Sequence, residues 1–228
     1  MMNKDVTFRD LGLTNYKEVW DYQEEVFKSV IDSKINGGQN KEQYLIFCEH
    51  NHVITLGKSG DKHNLLITEQ ICKSKNIDYY PIDRGGDITY HGPGQLVAYP
   101  IIDLEEFGFG IKSYISMLED VVVSVLKDYN IIGMKDNNAM GVWIDANSPD
   151  KARKICSIGV KASRYVTMHG LALNVNTDLS YFSYINPCGF TDKPVTSINK
   201  EIGRDIDMQE VSAKMKDKFG EIFEFRFR

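Results

Sequence analysis

The 228-residue chain has no run approaching the ~18 apolar residues that a membrane-spanning helix needs. Its first residues, Met1 to Asp10, alternate charged and apolar types and lack the apolar run of a secretory signal. Both absences predict a cytoplasmic protein with no membrane partner. Positive charge is not in excess: 27 Lys and Arg against 32 Asp and Glu leave a net charge of -5. No global field therefore draws in nucleic acid. Cysteine is sparse, and Cys48, Cys72, Cys156 and Cys188 form no C-x-x-C pair. That excludes a zinc ribbon or a thioredoxin-type motif, and a cytoplasmic chain is not expected to carry a disulfide framework. Each cysteine is then either a buried small hydrophobe or a reactive thiol. Internal repeats, low-complexity tracts and Pro/Ser-rich linkers are also missing.

Several familiar chemical motifs fail in turn. Gly57-Lys58-Ser59 resembles the tail of a phosphate-binding loop, but the glycine required five residues earlier is His52. Gly108-Phe109-Gly110 lacks the third glycine of a dinucleotide fingerprint, and no G-x-S-x-G elbow is present. His50 and His52 would share a strand face, but without a third ligand they read as hydrogen-bonded side chains and not as a metal site. Neither a metal nor a cofactor is expected.

What remains is an ordinary globular composition, 42% hydrophobic and 26% charged, with enough apolar material for a substantial core. Periodicity predicts a helix over 15–35 with Tyr16, Val19, Trp20, Phe27, Val30 and Ile31 on one face. A second is expected over 111–129, facing the core through Ile111, Ile115, Leu118, Val122, Val125 and Tyr129. A third falls near 208–222. Strands are predicted at 43–48, 52–57, 95–102, 140–144, 155–162 and 170–176. Pro100 within the third of these strands points to a sheet edge or a strand end. Strands in neighbouring runs, without strict β-α alternation, predict an α+β fold with a mixed, largely antiparallel sheet flanked by helices. The whole of 1–228 reads as one domain; a small C-terminal subdomain from about 180 is the other division considered.

One stretch breaks the acidic balance. Residues 151–164 hold Lys151, Arg153, Lys154, Lys161 and Arg164 and no acid. It is either a solvated basic strand pair or a dock for an acidic partner. Two further segments carry potential chemistry. Arg84-Gly85-Gly86-Asp87-Ile88-Thr89-Tyr90-His91-Gly92-Pro93-Gly94-Gln95 combines glycines, which let backbone approach a ligand closely, with polar side chains that could orient one. A plain hairpin with a polar turn would look similar. From Lys154 to Gly189 come Lys154-Ile155-Cys156-Ser157-Ile158-Gly159, His169-Gly170-Leu171-Ala172-Leu173-Asn174, and Asn186-Pro187-Cys188-Gly189. The Pro and Gly on either side of Cys188 suggest a tight turn with an exposed thiol; a cysteine taken alone is more often structural.

Together these segments resemble the octanoyltransferases of lipoate biosynthesis. The signature Arg-Gly-Gly-x-x-Thr-Tyr-His-Gly-Pro-Gly-Gln is met at 84–95. Lys-Ile-x-Ser-x-Gly is met at 154–159, His-Gly-Leu-Ala-Leu-Asn at 169–174 and Asn-Pro-Cys-Gly at 186–189. An earlier Glu-His-x-x-Val-x-Thr-Leu-Gly stands at 49–57, with Asn51 and His52 where the family favours proline. The likeness covers about residues 45–198 in the family's order. It implies the biotin/lipoate-ligase fold. It implies an acyl-carrying nucleophile at Cys188 tuned by Lys154. It also implies substrate-lining segments at Arg84, Gly85, Gly86, Asp87, Ile88, Thr89, Tyr90 and His91, at Ser157, Ile158 and Gly159, and at Gly170, Leu171 and Ala172. The implied partners are octanoyl-acyl carrier protein as donor, and lipoyl domains of 2-oxoacid dehydrogenase complexes and glycine cleavage H protein as acceptors.

The implied chemistry is sufficient in magnitude. A free thiol is only about 3% thiolate at pH 7, and enriching it by two pKa units requires about 2.7 kcal/mol. An ammonium about 4 Å away supplies about 4 kcal/mol at an effective dielectric near 20. Thioester exchange is near neutral and amide formation is downhill, so no ATP is required. Two rivals remain: an ATP-dependent lipoate-protein ligase of the same fold, and a non-catalytic acyl-protein binding module using the basic stretch. Cys156, two residues from Lys154, is the rival nucleophile, although its expected strand position favours burial.

Overall fold

The computed structural model describes residues 4–37, 42–136, 139–186 and 194–228. The chain opens with β1 (Asp5–Thr14), α1 (Tyr16–Ile35), β2 (Tyr44–His50) and β3 (Val53–Leu56). There follow α2 (Glu69–Ser74), β4 (Asp78–Pro81), β5 (Ile88–His91) and β6 (Gln95–Ile101). Next come α3 (Leu104–Phe107), α4 (Ile111–Lys127), β7 (Gly133–Asp136) and β8 (Ala139–Ile144). The chain ends with β9 (Arg153–Ser163), β10 (Val166–Asn174), α5 (Ile198–Ile202), α6 (Met208–Phe223) and β11 (Arg226–Phe227). Eight strands form one sheet in the order β11-β1-β2-β6-β10-β9-β8-β7, and β4-β3-β5 form a second. Pairing is parallel at β1–β11, β1–β2 and β3–β4 and antiparallel elsewhere. This is the mixed, largely antiparallel α+β arrangement expected.

The central strands β6 and β10 are buried along their whole lengths, so both sheet faces must be covered. That explains why residues 95–102 read as a continuous apolar run and not as an alternation. One face packs on α4 and α6 through Leu118, Val122, Val125, Val211, Met215 and Phe219. The other carries Ile46, Val97, Tyr99 and Ala172 against Val19, Val26, Phe27 and Val30 of α1. Asn15 caps α1 by accepting from Lys17 N at 2.8 Å, and Asp207 caps α6 by accepting from Gln209 N at 2.9 Å. The α4 face is rotated from the expected one: Tyr114 and Val121 are fully buried, whereas Ile111 is 43% exposed. Tyr129 lies beyond the helix end.

Pro100 does not mark a sheet edge. It sits in β6 between β2 and β10, one residue before the strand ends. The ladder to β2 continues past it to Ile101, while the ladder to β10 stops at Ala98. The N–H that proline lacks is therefore not demanded. No described helix is long and apolar enough to cross a membrane.

Candidate active site

A cavity of about 220 Å³ opens between the α1 face of the large sheet and the small sheet. Its floor is built where strands approach most closely. Gly159 of β9 and Gly170 of β10 are register partners. A Cβ on Gly170 would collide with Ala98 O, and one on Gly159 would come 2.9 Å from Gly85 O. Ser157 pairs with Ala172 and Ile158 with Leu171 on the same two strands, and all four line the cavity.

The wall is the 84–88 loop, and its conformation comes from the turn after β3. Gly57 N donates to Asp87 O at 3.1 Å, Lys58 N to Arg84 O at 2.9 Å and Ser59 N to Gly86 O at 3.3 Å. The Gly-Lys-Ser triplet that mimicked a phosphate loop is thus a backbone clamp for the glycine-rich segment. Gly57 must be glycine because a Cβ would run into Gly86 O. The Arg84 guanidinium turns back to donate to Thr55 O and Thr55 Oγ1, both at 2.9 Å. Gly85 N donates across to Val160 O at 2.9 Å, which ties the loop to β9.

The expected lining residues Arg84, Gly86, Asp87, Ile88, Thr89 and His91 border the cavity with Lys154. Gly85 and Tyr90 do not. Gly85 is spent on the Val160 contact. Tyr90, on the opposite face of β5 from Thr89 and His91, is fully buried in the small-sheet core, stacked 5.0 Å from Tyr181. Its hydroxyl meets His52 Nδ1 at 2.8 Å. His50 instead meets the Tyr99 hydroxyl at 2.9 Å, so the two histidines part company and each has a hydrogen-bond partner. Residues not singled out from the sequence also border the cavity: Tyr16, Val97, Tyr99, Ala139, Met140 and His169. Tyr16 was legible only as a core position of α1, and His169 only as a motif letter; nothing local marked Met140.

Burial dominates the electrostatics. His91 is pushed down to about 3 and His50 to about 4, both by desolvation, so each is neutral at pH 7. His91 Nδ1 faces Gln95 Oε1 at 2.7 Å. Gln95 Nε2 donates to Asn174 Oδ1 at 2.9 Å, and Asn174 Nδ2 donates to Thr196 O at 2.9 Å. This chain of amides orients Gln95 Oε1 as the acceptor and so places the His91 proton on Nδ1. His169 adopts φ +61 and its freed N–H is taken by Gln23 Oε1 at 3.1 Å. Its Nε2 lies 3.3 Å from Asp83, which also receives Lys161 at 2.5 Å. The hydrogen bond from His169, with help from Lys161, holds the Asp83 carboxyl well below the usual range.

The basic stretch is therefore less bare than its sequence. Lys161 is matched by Asp83, and Arg153 by Glu201 and Asp145. Lys154, on the same strand as Lys161, lines the cavity. Its backbone N donates to Pro194 O at 2.9 Å and its carbonyl accepts from Thr196 N at 2.8 Å. Its Nζ lies 4.6 Å from the centre of the Trp143 ring. Cys156 is fully buried, and burial pushes its thiol far up, which disfavours it as a nucleophile. Cys188, the expected nucleophile, lies outside the described residues. Before that segment, Asn186 N donates to Asn64 O at 2.7 Å, and Asn64 Nδ2 donates to Asp87 Oδ2 at 2.6 Å. Among the described residues no cluster of His, Cys, Asp or Glu could hold a metal.

Comparison with known proteins agrees with this arrangement. Residues 15–220 match the lipoyl protein ligase A/B catalytic domain. An octanoyltransferase of Christiangramia forsetii is 51% identical over 98% of this chain and 97% of its own length. One of Bacteroides fragilis is 54% identical over 90% and 92%. Among solved structures, a bipartite lipoate protein ligase of Thermoplasma acidophilum superposes with a TM-score of 0.73 at 17% identity, covering 99% of this chain and 86% of that one. A lipoate-protein ligase A bound with ATP gives 0.71 at 18% identity, covering 98% and 87%. A biotin protein ligase of Aquifex aeolicus gives 0.55 at 13% identity, covering 97% and 71%. These structural likenesses carry the fold, while the family match and the close relatives carry the kinship: the chain belongs to the lipoyl protein ligase A/B catalytic-domain family.

Proposed function

We propose that Cys188 and Lys154 form the reacting pair of an octanoyltransferase. The chain itself is an acyltransferase of lipoate biosynthesis, as its relatives at about half identity over nearly full length indicate. The Cys188 thiolate attacks the thioester carbonyl of octanoyl-acyl carrier protein. A new C–S bond forms, the old one breaks, and the carrier leaves as a thiol. The side-chain amine of a lipoyl-domain lysine then attacks the acyl-cysteine, the amide forms, and the Cys188 thiolate is released. Lys154 first stabilises the thiolate. Once acylation removes that negative charge, the ammonium loses its counter-ion and hands its proton to the departing carrier sulfur, leaving an amine that accepts one from the incoming lysine. The acceptors are lipoyl domains of 2-oxoacid dehydrogenase complexes and the glycine cleavage H protein.

The observation that supports the pairing is the anchoring on either side of residues 187–193. Asn186 is tied through Asn64 to Asp87, which borders the cavity, and Pro194 is bonded to Lys154. The burial of Cys156 removes its rival. The test is intact-protein mass spectrometry after mixing with octanoyl-acyl carrier protein without ATP. One octanoyl adduct is expected in the wild type and in Cys156→Ala, and none in Cys188→Ala. An adduct that survives Cys188→Ala, or that requires ATP as a ligase would, overturns the reading.

A further inference from the structure

Lys154 stands beside a bulge in β8 that is fixed from several sides. Gly141 N, at φ +117, donates to Glu119 Oε1 of α4 at 3.1 Å. A Cβ at Gly141 would collide with Cys156 O, so the bulge needs glycine. The indole N–H of Trp143 donates back across the bulge to Ala139 O at 2.8 Å. Register slips on both flanks, between Lys135 and Asp136 toward β7 and between Val142 and Trp143 toward β9. Bulges of this kind re-aim a side chain. Here the slip brings Trp143 opposite Lys154 in the register. The ring is 2% exposed, and unlike Ala139 and Met140 it does not border the cavity.

Resting on the assignment of Lys154 as the partner of Cys188, we propose that Trp143 is the positioning residue for this lysine. Its indole face holds the Lys154 ammonium at the reacting end of the cavity. The hydrogen bonds to Ala139 and, through Gly141, to Glu119 hold the indole in turn. The electron-rich face favours a cation, most strongly for tryptophan and away from water. It also covers one side of the ammonium, so that its donors fan toward the other. A branched aliphatic residue would fill the space without that preference. Among the described residues, the charged and titratable groups on the elements packed about Lys154 include Glu119 of α4, which with Lys154 acts on Cys156 of the same strand, Arg153 on that strand with its partner Glu201 of α5, and Arg84 and Asp87, which line the same cavity.

The test follows the rate of octanoyl-adduct formation against pH on the full chain, with octanoyl-acyl carrier protein as donor. Acylation needs Lys154 charged, so its alkaline limb reports loss of that charge. Removing the aromatic face disfavours the ammonium and moves the limb to lower pH. Trp143→Leu is expected to move it by about one unit, tenfold in the protonation equilibrium. Trp143→Phe, with a weaker face, is expected to give a smaller shift in the same direction, measurable even if the leucine variant fails to fold. A limb that stays in place in either folded variant, with the rate merely lower at every pH, reduces Trp143 to a space-filler and overturns the proposal. Cys188→Ala run alongside separates the two ideas. An adduct in that variant defeats the Cys188 assignment, whereas its loss together with unmoved tryptophan profiles defeats only the positioning role.

Discussion

At the scale of single residues, the motif glycines carry more structure than ligand. Gly57, Gly159 and Gly170 each stand where another backbone passes too close for a side chain. Gly170 is the sharpest case, since the obstructing atom is the carbonyl oxygen of Ala98 on the neighbouring strand, which cannot swing aside. Gly170→Ala should therefore force β6 and β10 apart and cost about 2 kcal/mol or more, at the upper end of overpacking penalties. A fall in the urea midpoint reads this; an unchanged midpoint would mean that the strands can separate freely. Gln23 gives a second lesson. A glutamine on the apolar face of α1 looks out of place in sequence, yet it satisfies the N–H that His169 withdraws from the ladder at φ +61.

At the scale of elements, long amphipathic helices were legible and short strands were not. The helices at 15–35, 111–129 and 208–222 all exist, although α4 turns Tyr114 and Val121 inward and leaves Ile111 out. Leu118, fully buried among both helices and sheet, is common to the expected and observed faces, as are Val122 and Val125. Leu118→Ala should cost about 2–5 kcal/mol, measured by equilibrium denaturation; a loss under 1 kcal/mol would show that the α4–α6 layer can collapse into the gap. By contrast β4, β5 and β7 have four residues each. Such lengths carry little periodic signal, and the partner of β4 and β5, which is β3, lies more than twenty residues away in sequence. The small sheet that forms the cavity's second wall was thus invisible locally, apart from its 52–57 strand.

At the scale of the whole molecule, the junction between the two sheets buries neutral histidines, and this links stability to pH. His50 and His91 titrate near 6.5 when unfolded, but burial lowers them to about 4 and about 3 in the folded state. Between pH 6.5 and about 4 the unfolded chain binds protons that the folded chain refuses. Stability is therefore complete above pH 6.5 and falls as the pH drops, by about 1.4 kcal/mol per unit for each histidine. Urea midpoints at pH 7.5, 6.0 and 5.0 should decline in that order. A midpoint that holds level from 7.5 to 5.0 would show that the junction admits water. The same junction explains the partial legibility of the site. Most of the motif residues that the family resemblance singled out do meet at one cavity, but Tyr90 alternates away from it and Gly85 is consumed by the tie to β9.

By itself the sequence determined the α+β class, the three long helices and the family, because these follow from periodicity, composition and residue identity. Only the tertiary structure decided that the Gly-Lys-Ser triplet, already unfit in sequence as a phosphate loop, is a backbone clamp. It likewise matched much of the basic stretch to internal acids, sealed Cys156 away, and set Trp143 beneath Lys154. Each of those outcomes depends on register and burial between segments distant in sequence, and no local pattern encodes how far a strand slips at a bulge or which of its faces another sheet will cover.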